Sequence, residues 1–166
     1  MVPEQKGAPT LRLPVSIVGP VDIGRLQREV EALNNFFQAA RLKGEQEVKM
    51  PKTTHLLDRF IEMNGLNLTQ DDHRQLVAQY LASVKAKAPR LHMSFSADPS
   101  TQFIEKLMTW LRQEISPHVL LTVGLQPSIG AGCVVRTTNK FFDLSLAKNL
   151  TGQTAVLMER LRGETS

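Results

Sequence analysis

Few residues in this sequence could do acid–base or metal chemistry, and the most suggestive run is Asp71-Asp72-His73. Carboxylates beside an imidazole are groups that bind metal ions or move protons. The run follows Thr69, however, and resembles the capped start of a helix, where adjacent side chains point in different directions. The two acids then interact favourably with the positive end of the helix dipole. We predict a capping role for this run and no metal site.

The remaining candidate residues form no catalytic pattern. Four histidines stand singly, at His55, His73, His92 and His118. Gly130 and Gly132 lack the third glycine of a dinucleotide-binding fingerprint, and they precede a strand where that fingerprint follows one. The one cysteine, Cys133, lies on a predicted strand, where a small buried apolar side chain is favoured over a reactive thiol. The sequence therefore predicts no catalysis of its own and no cofactor.

Composition narrows the class of protein further. A chain of 166 residues fits one domain, or a small domain with an appendage. No apolar run reaches the ~20 residues of a membrane span, and a lone cysteine suits a reducing cytosol. The net charge of +4 comes from dispersed basic residues with few aromatic residues among them. Nucleic-acid binding proteins usually cluster basic and aromatic residues on one surface. We predict no nucleic-acid partner and a mildly basic surface that suits an acidic protein.

The N-terminal region, residues 11–88, is predicted to hold an edge strand followed by helices, after a disordered tail at residues 1–10. Apolar residues alternate with others from Leu11 to Val18, which is the period of a half-buried strand. Pro14 removes one backbone donor and places that strand at the edge of a sheet. Helical spacing is predicted at residues 22–42, 54–64 and 69–87.

The first of these helices carries an apolar stripe with alternating spacings of three and four, as in a coiled coil. The stripe consists of Ile23, Leu26, Val30, Leu33, Phe37 and Ala40. It spans about two and a half heptads, fewer than a coiled coil ordinarily needs. Docking on the protein's own helices is the favoured interpretation. The alternative is an open stripe that contacts a partner helix, which makes its first five residues candidate partner contacts.

A break at Ala86–Pro89 opens the second predicted domain, residues 89–166. Two predicted strands, Leu91–Phe95 and Val119–Leu125, flank a predicted helix. The second strand is almost continuously apolar, which is typical of a strand that is buried on both faces. Two further strands, joined by a turn at residues 138–140, and a final helix complete the domain. The sequence thus predicts an α+β fold: a mixed four- to five-stranded sheet with packed helices, preceded by a mainly helical N-terminal region.

The stretch from Pro117 to Leu146 carries the most informative pattern, PHVLLTVGLQPSIGAGCVVRTTNKFFDLSL. It resembles the C-terminal domain of the delta subunit of rotary ATP synthases, called the oligomycin-sensitivity-conferring protein in mitochondria. The matching residues are Pro127, Ser128, Ile129, Gly130, Val135, Arg136, Lys140, Asp143 and Ser145. The chain departs from the family at Ala131, where a second glycine is usual, and at Asn139, in place of a common aspartate. The resemblance covers roughly residues 91–150, and the N-terminal half is not matched.

This resemblance implies a non-catalytic peripheral-stalk (stator) subunit, which links the membrane sector of a proton-translocating ATP synthase to its catalytic head. It implies protein partners in the stalk and in the head, and a cytoplasmic location at the inner face of the membrane, which the protein contacts only through the complex. Arg136 and Lys140 become predicted partner contacts, and Gly130, Gly132 and Asp143 are predicted to shape the turns around them.

The predicted final helix adds three more candidate partner contacts, Leu150, Leu157 and Leu161, which share one side with Leu146. Two alternatives from other classes stay open. One is a stator-like regulator of a V-type ATPase or of a secretion or flagellar export ATPase. The other is a nucleic-acid or small-ligand binding domain, which would show steeply salt-dependent binding or a well-formed apolar pocket.

Overall fold

The computed structural model describes residues 10–44 and 48–145, and the fold of this part is α+β, as the sequence predicts. The helices are α1 (Pro20–Leu42), α2 (His55–Asn64), α3 (Asp71–Lys87) and α4 (Thr101–Glu114). The strands are β1 (Arg90–Phe95), β2 (Leu120–Leu125), β3 (Gly132–Arg136) and β4 (Phe141–Ser145), and a 3-10 helix at Pro127–Ile129 precedes β3. The predicted disordered tail, apart from residue 10, and the predicted final helix lie outside the described residues.

Capping residues set the ends of α2 and the start of α4. The Thr54 hydroxyl accepts a hydrogen bond from the Leu57 N–H, and Gly65 ends α2 in the left-handed conformation, with φ of 60°. The Ser100 hydroxyl accepts from the Phe103 N–H in the same way. The predicted helix at residues 54–64 therefore matches α2 to within one residue.

The start of α3 corrects the predicted capping box. Gln70 is the N-cap residue, and the Thr69 hydroxyl donates instead to the side-chain oxygen of Asn67 at 2.7 Å. Asp71 lies in the first turn, as predicted, where its carboxylate accepts from the Arg74 guanidinium at 2.6 Å. One acid thus fixes a neighbouring arginine rather than completing a capping box.

Residues 11–18, called the N-terminal segment below, do not form the predicted edge strand. The Ile17 N–H donates to the Pro14 carbonyl at 3.0 Å and closes a turn, and the link to β2 is one hydrogen bond, from the Leu121 N–H to the Val18 carbonyl at 2.8 Å. The buried residues of the segment are Leu11, Leu13, Pro14 and Ile17. The alternation in the sequence therefore reflects burial of an irregular segment and not strand pairing.

The four described strands pair in the order β2-β1-β3-β4. Strand β1 pairs in parallel with β2 and antiparallel with β3, and β3 forms an antiparallel hairpin with β4. Helix α4 connects β1 to β2 and packs on one face of the sheet through Met108 and Leu111. We call this face the α4 face. Its buried strand residues are Leu91, Met93, Phe95 and Leu121.

Strand β2 lies at the edge of the sheet and is buried only where it begins, which corrects the predicted burial on both faces. Leu120 belongs to the core of the N-terminal helices, whereas Leu121 belongs to the core under α4. Towards the other end of the strand, Val123 is 37% and Leu125 62% exposed. Its apolar run therefore joins two cores at one end and meets solvent at the other.

Candidate interaction surface

The residues that carry the family resemblance form one continuous unit, from the 3-10 helix to the end of β4. Ile129 is buried and anchors the 3-10 helix, and Gly130 follows with φ of 75°. Gly132 opens β3 with φ of 93°, and a Cβ there would collide with the carbonyl oxygen of Leu144 on β4. Both glycines therefore have backbone conformations that residues with a Cβ rarely adopt.

Asp143 acts within the strand that contains it. Its carboxylate accepts a hydrogen bond from the Ser145 N–H at 3.0 Å, and Ser145 is buried at the last described position of the chain. The predicted role of Asp143 in the turn that follows β4 concerns residues beyond 145, outside the described part. Its observed contact orients the end of β4.

Arg136 and Lys140 flank the turn of the β3–β4 hairpin and are both exposed. The Thr137 N–H donates to the Lys140 carbonyl at 2.8 Å, and the Lys140 N–H donates to the Thr137 hydroxyl at 3.0 Å, so the turn is held from both sides. The guanidinium carbon of Arg136 lies 5.1 Å from the ring centroid of Phe141. The hairpin end thus presents two cations and an exposed aromatic ring, a combination that can bind carboxylates beside an apolar contact.

The α4 face keeps an uncovered apolar area over β3 and β4. Because Met93 faces α4 and pairs with Val135, the alternation of strand residues puts Cys133 and Val135 of β3 on this face. Their partners on β4 are Leu144 and Phe142, which are 62% and 46% exposed. These four residues make up the α4 face over β3 and β4.

Helix α4 carries exposed aromatic residues on one flank. Arg112 lies on the flank that faces the N-terminal segment, beside β2. With 100° between successive residues, Phe103 and Trp110 lie on the opposite flank, towards β3 and β4. They are 46% and 55% exposed, and the Phe103 ring meets the Phe95 ring edge-on at 5.7 Å.

Arg112 joins the two halves of the chain. Its Nη1 donates to the carbonyl oxygens of Leu13 and Pro14 at 2.7 Å, and its Nη2 donates to that of Ile17 at 2.5 Å. Burial lowers the pKa of the guanidinium, with the adjacent Tyr80 opposing that shift. Sequence reasoning did not identify this residue. A cation on the flank of an amphipathic helix looks like solvated surface until the segment that it binds is known.

Three buried polar atoms in the described structure have no hydrogen-bond partner: the Tyr80 hydroxyl, the Ser16 hydroxyl and the Nε of Arg112 itself. Burial raises the pKa of Tyr80 to about 12, and the positive charge of Arg112 acts against that rise. A cavity of about 460 Å³ lies between the N-terminal segment and α4, and Arg112 and His118 line it. Both Nη atoms of Arg112 are already bonded to carbonyl oxygens, so they do not point to a ligand there.

The apolar stripe of α1 is placed in the core. The five residues predicted as partner contacts, Ile23, Leu26, Val30, Leu33 and Phe37, are between 0% and 8% exposed. Most of them pack with α2, α3 and the N-terminal segment. The protein's own helices cover them, as the favoured interpretation expects, and the alternative that these five residues contact a partner helix is corrected. Leu150, Leu157 and Leu161 lie outside the described residues.

Two searches of the described residues concern other classes of site. Among residues 10–44 and 48–145, no three His, Cys, Asp or Glu side chains are grouped so that they could hold a metal ion. Across the same residues, every helix is too short or too polar to cross a membrane.

Comparison with known proteins adds no assignment. No protein-family model matches the chain, and no curated protein matches it significantly. A functional interpretation of this chain therefore depends on its own residues and their geometry.

Proposed function

We propose that this protein is a non-catalytic peripheral-stalk subunit, which links the membrane sector of a proton-translocating ATP synthase to the catalytic head. It would lie in the cytoplasm against the inner face of the membrane and contact the membrane only through the complex. The proposal combines the resemblance of residues 117–146 to the delta subunit with the form that residues 127–145 take in the structure.

One observation carries the proposal. The matched residues form one hairpin unit, in which they have two separate uses. Gly130 and Gly132 shape the backbone, while Arg136 and Lys140 are exposed at the hairpin end, with the Phe141 ring beside Arg136. A binding protein needs such a division between residues that fix a hairpin and residues that the hairpin presents.

The junction between the two halves of the chain also suits a stator. A stator must transmit force without deforming, so its parts cannot be joined by a flexible linker alone. Here Leu120 of the sheet is fully buried among the N-terminal helices, and Arg112 of α4 binds three carbonyls of the N-terminal segment. These contacts oppose rotation of one half against the other.

Affinity capture of the tagged full-length protein from detergent-solubilised native membranes tests the proposal. We expect recovery of the catalytic-head subunits of an ATP synthase together with the membrane-anchored stalk subunit, identified by mass spectrometry. Recovery of a V-type or export ATPase instead would contradict the assignment and favour the related stator-like regulator. Recovery of nucleic acid alone, or of no ATPase subunit, would also contradict it.

Charge reversal at the hairpin tests the contact itself. Arg136→Glu and Lys140→Glu should each reduce recovery of the stalk or head subunits several-fold, because each replaces a cation with an anion at a contact with an acidic surface. Lys106→Glu is the matched control, since Lys106 is an exposed base on α4 and changes the net charge equally. Equal loss in all three variants would point to a general effect of net charge.

A further inference from the structure

Strand β2 is the outer strand of the described sheet and has β1 on one side only. The Leu120 N–H donates to the Pro89 carbonyl at 2.9 Å, on the β1 side, whereas the Leu121 N–H donates to Val18, on the opposite side. Successive residues of a strand direct their backbone groups to alternate sides. The odd-numbered residues of β2 therefore direct both N–H and C=O away from β1.

Val123 and Leu125 are the odd-numbered residues that follow Leu121, and their outward backbone groups are unpaired. Among residues 10–44 and 48–145, no group bonds to the outward N–H or C=O of either residue. Backbone groups of this kind require a partner, which is either water or another strand. A row of them along an edge strand is a template on which a further strand can pair.

This open part of the edge, residues 122–126, has the sequence TVGLQ and contains neither a charged residue nor a proline. Edge strands that stay unpaired are usually protected by such residues. The register with β1 puts Val123 and Leu125 beside Met93 and Phe95 of the α4 face. Since Val123 is 37% and Leu125 62% exposed, a strand added here would extend the apolar core under α4.

A second copy of β2 is complementary to this edge. In an antiparallel pair with its two-fold axis at Gly124, Val123 of each copy lies opposite Leu125 of the other. Each of these two pairs exchanges two hydrogen bonds, which together use every outward N–H and C=O of both residues. The apolar side chains then meet on the α4 face, and on the other face Thr122 meets Gln126 of the other copy. No charge opposes this contact.

The flanking residues limit the pairing to residues 122–126. On the N-terminal side the Leu121 N–H is already bonded to Val18, and on the C-terminal side Pro127 begins the 3-10 helix and has no N–H. An interface built on five residues of each strand is small. We expect it to dissociate on dilution, as small interfaces do.

We propose that two copies of this chain associate through antiparallel pairing of their β2 edges, with the two-fold axis at Gly124, so that the two sheets become continuous. The proposal goes beyond the stator assignment and does not depend on it, because it concerns the isolated protein.

Sedimentation velocity of the full-length protein over a roughly hundredfold range of concentration tests for the dimer. We expect a reversible monomer–dimer equilibrium. Leu125→Pro removes an N–H that has no partner within the described residues, so the fold should tolerate it, but it removes two of the four bonds of the dimer. The dissociation constant should rise by at least about tenfold.

Leu125→Lys is a second variant, which places a charge in the apolar contact and should also raise the dissociation constant by at least about tenfold. Leu42→Lys is its matched control, because Leu42 is 90% exposed at the end of α1 and the substitution changes the net charge equally. The control should stay within about twofold of the wild type. A wild-type protein that is monomeric throughout, or a dimer that both Leu125 variants leave intact, would overturn the proposal.

Disulfide formation tests the register. With Cys133 replaced by serine, Val123→Cys protein is mixed with Leu125→Cys protein under mild oxidation. We expect disulfide-linked heterodimers, because these two positions lie opposite each other. Val123→Cys protein alone should link poorly, since its two copies are offset by two residues and their Cα atoms lie beyond the limit of about 7 Å. Preferential linkage of Val123→Cys to itself would overturn the proposed axis.

Discussion

Arg112 on α4 donates through Nη1 to the carbonyl oxygen of Leu13 at 2.7 Å and so joins residues 99 positions apart in the chain. Two further carbonyls of the N-terminal segment accept from the same guanidinium. The segment has one backbone hydrogen bond to β2, so this side chain provides most of its polar attachment to the C-terminal half.

Removal of this attachment should destabilise the protein. Arg112→Met keeps most of the side-chain volume but leaves three partly buried carbonyls without their donor. We expect a loss of about 2–4 kcal/mol in the free energy of unfolding, measured by urea denaturation. Lys106→Met on the exposed side of α4 should change stability by less than about 0.5 kcal/mol. Equal midpoints for the two variants would show that the guanidinium contributes nothing measurable.

Tyr80 should give the protein a distinctive stability profile at high pH. Its pKa of about 12 in the folded state lies above the ordinary value of 10.0, because burial disfavours the phenolate. The stability that it contributes is therefore complete below pH 10 and is lost as the pH rises from 10 towards about 12.

Tyr80→Phe removes this dependence and keeps the ring, which stacks on Phe60 at 5.9 Å. Near pH 8 we expect the variant to be at least as stable as the wild type, since the lost hydroxyl has no hydrogen-bond partner in the described structure. Above pH 10 the wild type should lose stability faster in urea titrations. Parallel pH profiles would contradict the raised pKa.

The two glycines of the matched unit should differ in their tolerance of alanine. Gly130→Ala meets no atom within 4 Å, so its cost is that of the strained backbone at φ of 75° and ψ of −67°, about 1–3 kcal/mol. Gly132→Ala adds a collision with the Leu144 carbonyl to the same kind of strain, so its cost should be clearly larger. Thermal unfolding of both variants checks the order, and a smaller effect at Gly132 would contradict the described pairing of β3 with β4.

Arg74 is 1% exposed and binds the side chains of Asn34 and Asp71 and the Leu68 carbonyl, with Phe37 beneath its guanidinium. Arg74→Met should destabilise the protein by about 3–5 kcal/mol, because it leaves these polar partners without a donor.

Arg41 is the matched control for Arg74, because it approaches the same Asp71 at 3.9 Å but is mostly exposed. Arg41→Met should cost less than about 0.5 kcal/mol in chemical denaturation. Comparable losses in the two variants would mean that burial does not decide the strength of these contacts.

Local signals in the sequence predicted most of the helices and strands. The predicted helix at residues 54–64 matches α2 closely, because its ends depend on residues within one turn, Thr54 and Gly65. The parallel pairing of β1 with β2 follows from the helix between them.

The wrong predictions concern features that are determined by tertiary contacts and not by the local sequence. Alternation at Leu11–Val18 looked like a strand because burial against helices produces the same pattern as burial in a sheet. The apolar run at Val119–Leu125 looked buried on both faces, but strand order puts β2 at an edge. Arg112 has no local signal, since its partners lie 95 to 99 residues away. The burial of Arg74 depends in part on Asn34, 40 residues away, although Asp71 is only three residues before it.

The most direct test of the stator assignment is cross-linking mass spectrometry on ATP synthase purified from the native membranes. The stator assignment predicts that the chain co-purifies with the complex, and that lysine cross-links connect it both to the catalytic head and to the membrane-anchored stalk subunit, with Lys140 among the linked residues. Absence of the chain from the intact, coupled complex would contradict the assignment.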